Sequence, residues 1–141
     1  MRIQTDNPAG MFKALGDDTR LRIVRLLAGR PLCVCQIVDA LAEPQYKISR
    51  HLAILKHAGL VVDRRIGTWM HYSLAPDLDP LAREAIRAIA ARCCDGVYVE
   101  DERRLAESRP RIPASCEVAA DVTEPEPSAA KANLRPRVTT T

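Results

Sequence analysis

Five cysteines and one basic, histidine-bearing segment are the residues of this chain with chemistry to offer. The thiols fall as Cys33-Val34-Cys35, as the adjacent pair Cys93-Cys94, and as Cys116. In thiolate form such groups ligate soft ions or react with oxidants, and three together suit a trigonal soft ion. Their number is odd, and the opening MRIQTDNPAG has no apolar core. The expectation is a reduced, cytoplasmic chain whose thiols serve as ligands or sensors rather than as disulfides. No apolar run approaches the ~18 residues that a membrane span needs, so no membrane partner is expected.

The basic segment is 45–72, where Asp63 is the only acid against Lys47, Arg50, Lys56, Arg64 and Arg65, and where His51, His57 and His71 all lie. Residues 1–98 hold 14 Lys/Arg against 10 Asp/Glu, while residues 99–141 hold 7 against 8. The positive excess therefore belongs to the front of the chain, which suits a polyanionic partner.

Two amphipathic patterns position these groups, separated at Glu43-Pro44. In the earlier one Val34, Ile37, Val38 and Leu41 recur at core spacing. In the later one Ile48, Leu52 and Leu55 make one buried stripe. Around that stripe lie Gln45, Tyr46, Lys47, Ser49, Arg50, His51 and Lys56, a set able to reach phosphates and base edges. Pro44 suits a first helical position, and Gly59 the place just past a helix end. The pair reads as a helix-turn-helix with its second helix in a major groove.

The flanks are read in the same way. Residues 8–15 form a short apolar helix with Met11, Phe12 and Leu15 on one side. Thr19 to Ala28 form the next, capped by Asp17 or Asp18, with Arg22 and Arg25 on its solvated side. After the reading helix, LVVDRRIGTWMHYSL gives two β-rich runs around a loop at Ile66-Gly67-Thr68. Met70, Tyr72 and Leu74 alternate with Trp69, His71 and Ser73, giving one packed and one open face. This hairpin is a wing, with Arg64 and Arg65 placed against the DNA backbone and His57 and His71 solvated or near phosphate. Asp79-Pro80 starts a fifth helix running to about Cys94, whose alanine-rich arc (Leu81, Ala82, Ala85, Ile86, Ala88, Ile89, Cys93) predicts a dimer interface shared with the first helix.

The expected architecture is mainly α with a β-hairpin wing (α+β), a dimeric winged helix-turn-helix. The DNA-binding and dimerisation domain is assigned to 1–96. Residues 97–141 are assigned to a mostly disordered tail, with a short helix near 100–108, on the strength of Pro110, Pro113, Pro125, Pro127 and Pro136 among Glu, Ser, Ala and Thr.

The runs LCVCQIVDAL, KISRHLAILKHAGLV and RRIGTWMHYSL resemble the ArsR/SmtB metalloregulators, most closely the arsenic-type branch, over about residues 8–94. The resemblance implies a homodimeric winged-helix repressor that binds operator DNA when empty, needs no cofactor to do so, and releases it on binding a metal or metalloid. It makes As(III) or Sb(III) the expected inducer, and Gln45, Tyr46, Ser49 and Arg50 base-facing. The arsenic-branch motif is similar to Cys-Val-Cys-x-x-Cys. Cys33 and Cys35 match it as the primary ligands, and Val38 stands in the third position. On an ideal helix those two cysteines point about 200° apart, at about 100° per residue, and cannot share an ion. In a first turn, where the backbone need not be helical, they can. Cys93, Cys94 and Cys116 resemble a second layout of the family, with a pair at the dimer helix and a third thiol downstream. The zinc-type pattern Asp-x-His…His-x-x-Glu is absent, since residues 79–94 contain no histidine.

Other readings compete. A repressor of the same fold sensing Cd, Pb, an organoarsenical or thiol oxidation uses the same thiols. A thiol enzyme lacks its signatures, with no Cys-x-x-Cys pair and no Cys followed six positions later by Arg. A soft-metal buffer without DNA binding leaves the phased basic helix unexplained.

Overall fold

The computed structural model describes residues 7–108. Its elements in chain order are α1 (Pro8–Leu15), α2 (Asp18–Leu27), β1 (Leu32–Cys33), α3 (Val34–Leu41), α4 (Gln45–His57), β2 (Val61–Ile66), β3 (Trp69–Leu74), α5 (Pro80–Arg92) and α6 (Val97–Ser108).

Side-chain caps start the early helices. The Asn7 carboxamide oxygen accepts the Gly10 amide at 2.9 Å, and Asp17 accepts those of Thr19 and Arg20 at 2.8 and 3.1 Å. Helix α2 turns Ile23, Val24, Leu26 and Leu27 inward, and Ile37, Leu41, Ile48, Leu52 and Leu55 of α3 and α4 meet them in one core. Between α3 and α4, Ala42 takes a left-handed conformation at φ 57 and closes α3 by donating its amide hydrogen to the Val38 carbonyl. Pro44 stands just before α4, at its N-cap rather than its first turn.

The sheet has the order β1-β3-β2, with antiparallel pairing throughout. Strand β1, which periodicity does not reveal at two residues, pairs Leu32 with Tyr72 and Cys33 with His71. It makes β3 the central strand, so His71 is buried instead of solvated. Ile66 pairs with Trp69, leaving a two-residue loop, Gly67-Thr68, one residue shorter than expected. Gly67 sits at φ 64, as a tight hairpin turn requires of its first loop residue.

The Asp79 carboxylate accepts the Leu81 amide at 3.1 Å and Pro80 opens α5, as the sequence implies. Ala82 and Ile86 face the core of this chain. Phe12 (50% exposed) and Leu81 (45%) instead look outward. Phe12 thus leaves the inward row expected of the first helix, while Ile86 is a core residue of the single chain.

The larger departure follows Gly96, at φ 58. There α6 turns back over α2 and α3 and buries Leu105 and Asp101. Arg22 pairs with Asp101 at 2.7 Å and Arg25 with Glu102 at 2.8 Å, so both arginines of the supposedly solvated face hold α6. The packed unit therefore reaches Ser108, beyond the boundary set at 96 from composition. The proline-rich stretch and Cys116 lie outside the described residues.

Candidate nucleic-acid interface and thiol sites

Burying Ile48, Leu52 and Leu55 turns the rest of α4 outward. Gln45, Tyr46 (68% exposed), Ser49 and Arg50 form an open face. The Lys47 ammonium meets Glu43 at 3.1 Å, and Lys56 meets Asp63 of β2 at 2.9 Å, which ties the end of α4 to the hairpin. Arg64 and Arg65 are both exposed, but as strand neighbours they leave opposite faces of β2. A duplex edge seated on one face meets only one of them directly.

His51, read with the DNA-facing set, is turned inward, with its side chain 13% exposed. Its Nδ1 lies 3.1 Å from Nη1 of Arg20 and 3.9 Å from Oδ1 of Asp17. Burial lowers its pKa below the ordinary histidine value; Arg20, Lys47 and Arg50 add to this, and Asp17 opposes it. Burial likewise lowers that of His71, helped by Arg64.

The primary thiols sit where β1 becomes α3. Cys33 is fully buried, with φ −71 and ψ 150, and is the N-cap of α3. Its sulfur accepts the Cys35 amide at 3.3 Å, while the Gln36 side chain accepts the Cys33 amide at 2.9 Å. This is a capping box with a thiol in the place of the usual hydroxyl. Cys35 is half-buried, and both it and Trp69 pack against Cys33. Because Cys33 is extended, the 200° opposition of an ideal helix does not apply.

The second set lies at the far end of α5. Cys93 caps that helix, and the exposed Cys94 sulfur donates to the carbonyls of Ala90 and Ala91 at 3.5 and 3.4 Å. Arg25 reaches this turn with three nitrogens, donating to the Cys93 carbonyl at 2.5 Å, to Glu102 at 2.8 Å and to the Cys94 sulfur at 3.8 Å. Burial raises the pKa of the Tyr98 phenol, and Cys93 beside it adds to the shift. Among the described residues no three His, Cys, Asp or Glu side chains come together as a metal site. Each thiol pair therefore supplies two sulfurs at its own place.

Sequence reading missed Arg20, Arg25, Tyr98 and Trp69 around these sites. The Arg20–His51 and Arg25–Glu102 contacts span 31 and 77 positions, and helical periodicity carries no signal at such separations. Trp69 is the exception, since its alternation on β3 is visible locally.

Residues 17–62 match the family model described as bacterial regulatory protein, arsR family. The chain is 40% identical over 112 residues to an arsenic resistance transcriptional regulator of Pseudomonas putida, covering 77% of this chain and 87% of that one. It is 49% identical over 80 residues to the arsenical resistance operon repressor of Escherichia coli, covering 56% and 68%. Among solved structures it resembles a homodimeric winged helix-turn-helix DNA-binding domain from Mycobacterium bovis, with a TM-score of 0.53 and 32% identity, covering 70% of this chain and 82% of that one. The chain has the winged helix-turn-helix fold and belongs to the ArsR family of bacterial regulatory proteins, in its arsenical-resistance branch, as a transcription regulator and not an enzyme.

Proposed function

We propose that this protein is a homodimeric repressor that reads operator DNA through α4 and the β2–β3 hairpin, and releases it when As(III) or Sb(III) binds Cys33 and Cys35. The observation that carries the reading is that the thiol of Cys33, a group able to ligate soft ions, is the cap of α3, the helix that precedes the proposed reading helix. A ligand drawing on the Cys33 sulfur competes with the Cys35 amide for it. Loss of an N-cap costs about 0.5–2 kcal/mol, applied at the base of the helix-turn-helix. A trigonal ion here needs a third donor beyond the two sulfurs. Arsenical regulation in the Pseudomonas putida and Escherichia coli relatives supports the choice of inducer.

Gln45, Tyr46, Ser49 and Arg50 face the bases, and Lys47 with one of the two wing arginines, Arg64 or Arg65, the phosphates. Subunits meet through α1 and α5, where Phe12 and Leu81 are exposed. Cys93 and Cys94 form a secondary set that tunes the response through the α5–α6 turn.

The test is release of a bound duplex, selected by the protein from a random pool, with As(III), Sb(III), Cd(II), Zn(II) and peroxide titrated in parallel. Cys33→Ser/Cys35→Ser keeps DNA binding and loses most As(III)-driven release. Cys93→Ser/Cys94→Ser shifts only the concentration required. Normal release by the first double variant together with none by the second places the switch at α5 instead. Release by Cd(II) or peroxide alone makes this a regulator of another thiophilic signal.

A further inference from the structure

Arg20 occupies the centre of the three helices that matter most to the reading above. Its Nε donates to the Ala14 carbonyl at 2.6 Å and its Nη2 to that of Lys13 at 3.5 Å, which holds the last turn of α1. Its Nη1 points to Nδ1 of His51 in α4 at 3.1 Å, and its own amide is capped by Asp17. A guanidinium only donates, so Nδ1 of His51 must accept and the imidazole proton must sit on Nε2. A charged imidazole has no lone pair for Arg20 and would oppose its charge. The surroundings agree: the ring is 13% exposed, and Arg20, Lys47 and Arg50 outnumber Asp17 around it.

The position of this bond on α4 is informative. At about 100° per residue, fixing the side chain at 51 fixes the rotation of the helix about its own axis. Arg50 leaves the helix one such step away, and Ser49 two. Lys47 and Lys56 are tethered to Glu43 and Asp63 near the ends of α4, so Arg20–His51 is the polar tie near the helix middle. The opposite side of the same fork grips α1.

We propose that His51 is a positioning residue rather than a DNA contact: as a neutral acceptor locked to Arg20, it sets the rotation of α4 and so the aim of Ser49 and Arg50 at the base edges. This rests on α4 being the DNA-reading helix. Through Arg20 it also makes the seating of α1 and the rotation of α4 parts of one hydrogen-bonded unit.

The experiment uses the full chain and two duplexes, one selected by the wild-type protein from a random pool and one of scrambled sequence, each over a salt series. His51→Ala weakens the selected duplex about tenfold, the scale of one well-aimed base contact, and leaves the scrambled duplex and both salt slopes unchanged. His51→Asn, whose carboxamide oxygen falls near the place of Nδ1, restores most of the loss, which a change in packing alone would not. Arg20→Ala, which also frees α1, weakens the selected duplex at least as much as His51→Ala, and adding His51→Ala to it brings no further loss. If His51→Ala does not fold, His51→Phe removes the acceptor while keeping a ring. Equal losses on both duplexes with a salt slope reduced by about 0.9 would make His51 a phosphate contact and overturn the proposal. So would additive losses at Arg20 and His51, or no rescue by His51→Asn. A wild-type protein that selects no duplex fails at the first step and removes the DNA-reading premise itself, a result distinct from selection that ignores residue 51.

Discussion

Arg22 of α2 and Asp101 of α6 stand 79 positions apart and meet through two parallel hydrogen bonds, at 2.7 and 2.9 Å, with the Asp101 side chain 2% exposed. Arg104 adds a third bond to the same carboxylate at 3.1 Å. The two guanidiniums also reach the Leu41 and Ala40 carbonyls at 3.2 and 2.8 Å, satisfying acceptors that the end of α3 leaves open. Asp101 thus fastens three helices rather than one.

Removing one partner of such a pair strands the other charge in a dry place. Asp101→Ala is expected to cost about 3 kcal/mol in urea unfolding, the scale of a broken buried ion pair. A chain ended at residue 96 loses α6 altogether and is expected to fall at least as far below one ended at 108. Equal stability of the 96 and 108 forms would show that α6 adds nothing.

Ala42 is the one non-glycine residue at positive φ among those described. A Cβ in that region costs roughly 1 kcal/mol, and glycine escapes it at the price of a more mobile unfolded chain. Ala42→Gly is expected to raise stability by about 0.5 kcal/mol without changing the urea m-value. A destabilised variant would mean that the Ala42 methyl contributes more than the strain it causes.

The neutral state of His51 has a consequence for pH. Its folded pKa lies below the ordinary 6.5, first through burial and then through Arg20, Lys47 and Arg50, against the pull of Asp17. In the window below 6.5 the unfolded chain binds more protons than the folded one, so stability rises with pH there. The contribution is complete above about pH 7.5 and is lost as pH falls through 6.5 toward the folded value. Urea unfolding from pH 8 to 5 reads this slope, and His51→Asn should flatten it. His71, shifted in the same direction by burial and Arg64, contributes to the part that remains.

The subunit contact proposed for α1 and α5 can be tested apart from the core. Phe12→Glu and Leu81→Glu act on exposed side chains and should leave the monomer fold intact while shifting sedimentation from dimer to monomer. Ile86→Glu places a charge in the core of α5 and should lower the melting temperature as well. An unchanged dimer in both exposed variants removes α1 and α5 from the interface.

The parts legible in the sequence are those fixed by local period. Ile48, Leu52 and Leu55 are fully buried at the spacing that announced α4, and Asp79-Pro80 starts α5 as a cap and first residue should. What escaped depends on distant partners. Two residues of β1 carry no alternation, yet their pairing converts β3 from an edge into a central strand and buries His71. Arg22 and Arg25 resemble solvent-facing residues until α6 arrives with Asp101 and Glu102. His51 shares the polarity of its neighbours on α4, and only the direction of Arg20 separates it from them. For the thiols the sequence set the pairs, and the extended backbone at Cys33 removes the opposition that an ideal helix would impose on the first pair.

Cys33 is fully buried beneath Trp69 and Cys35, and its sulfur is already engaged by an amide. Nothing in solution touches such an atom until the first turn of α3 opens. The speed of any reagent at this thiol is therefore set in two regimes. At low concentration it follows the reagent multiplied by the small open fraction, and at high concentration it levels off at the opening rate itself. Such a plateau would act as a clock built into the fold, capping how fast any reagent reaches this sulfur however large the dose.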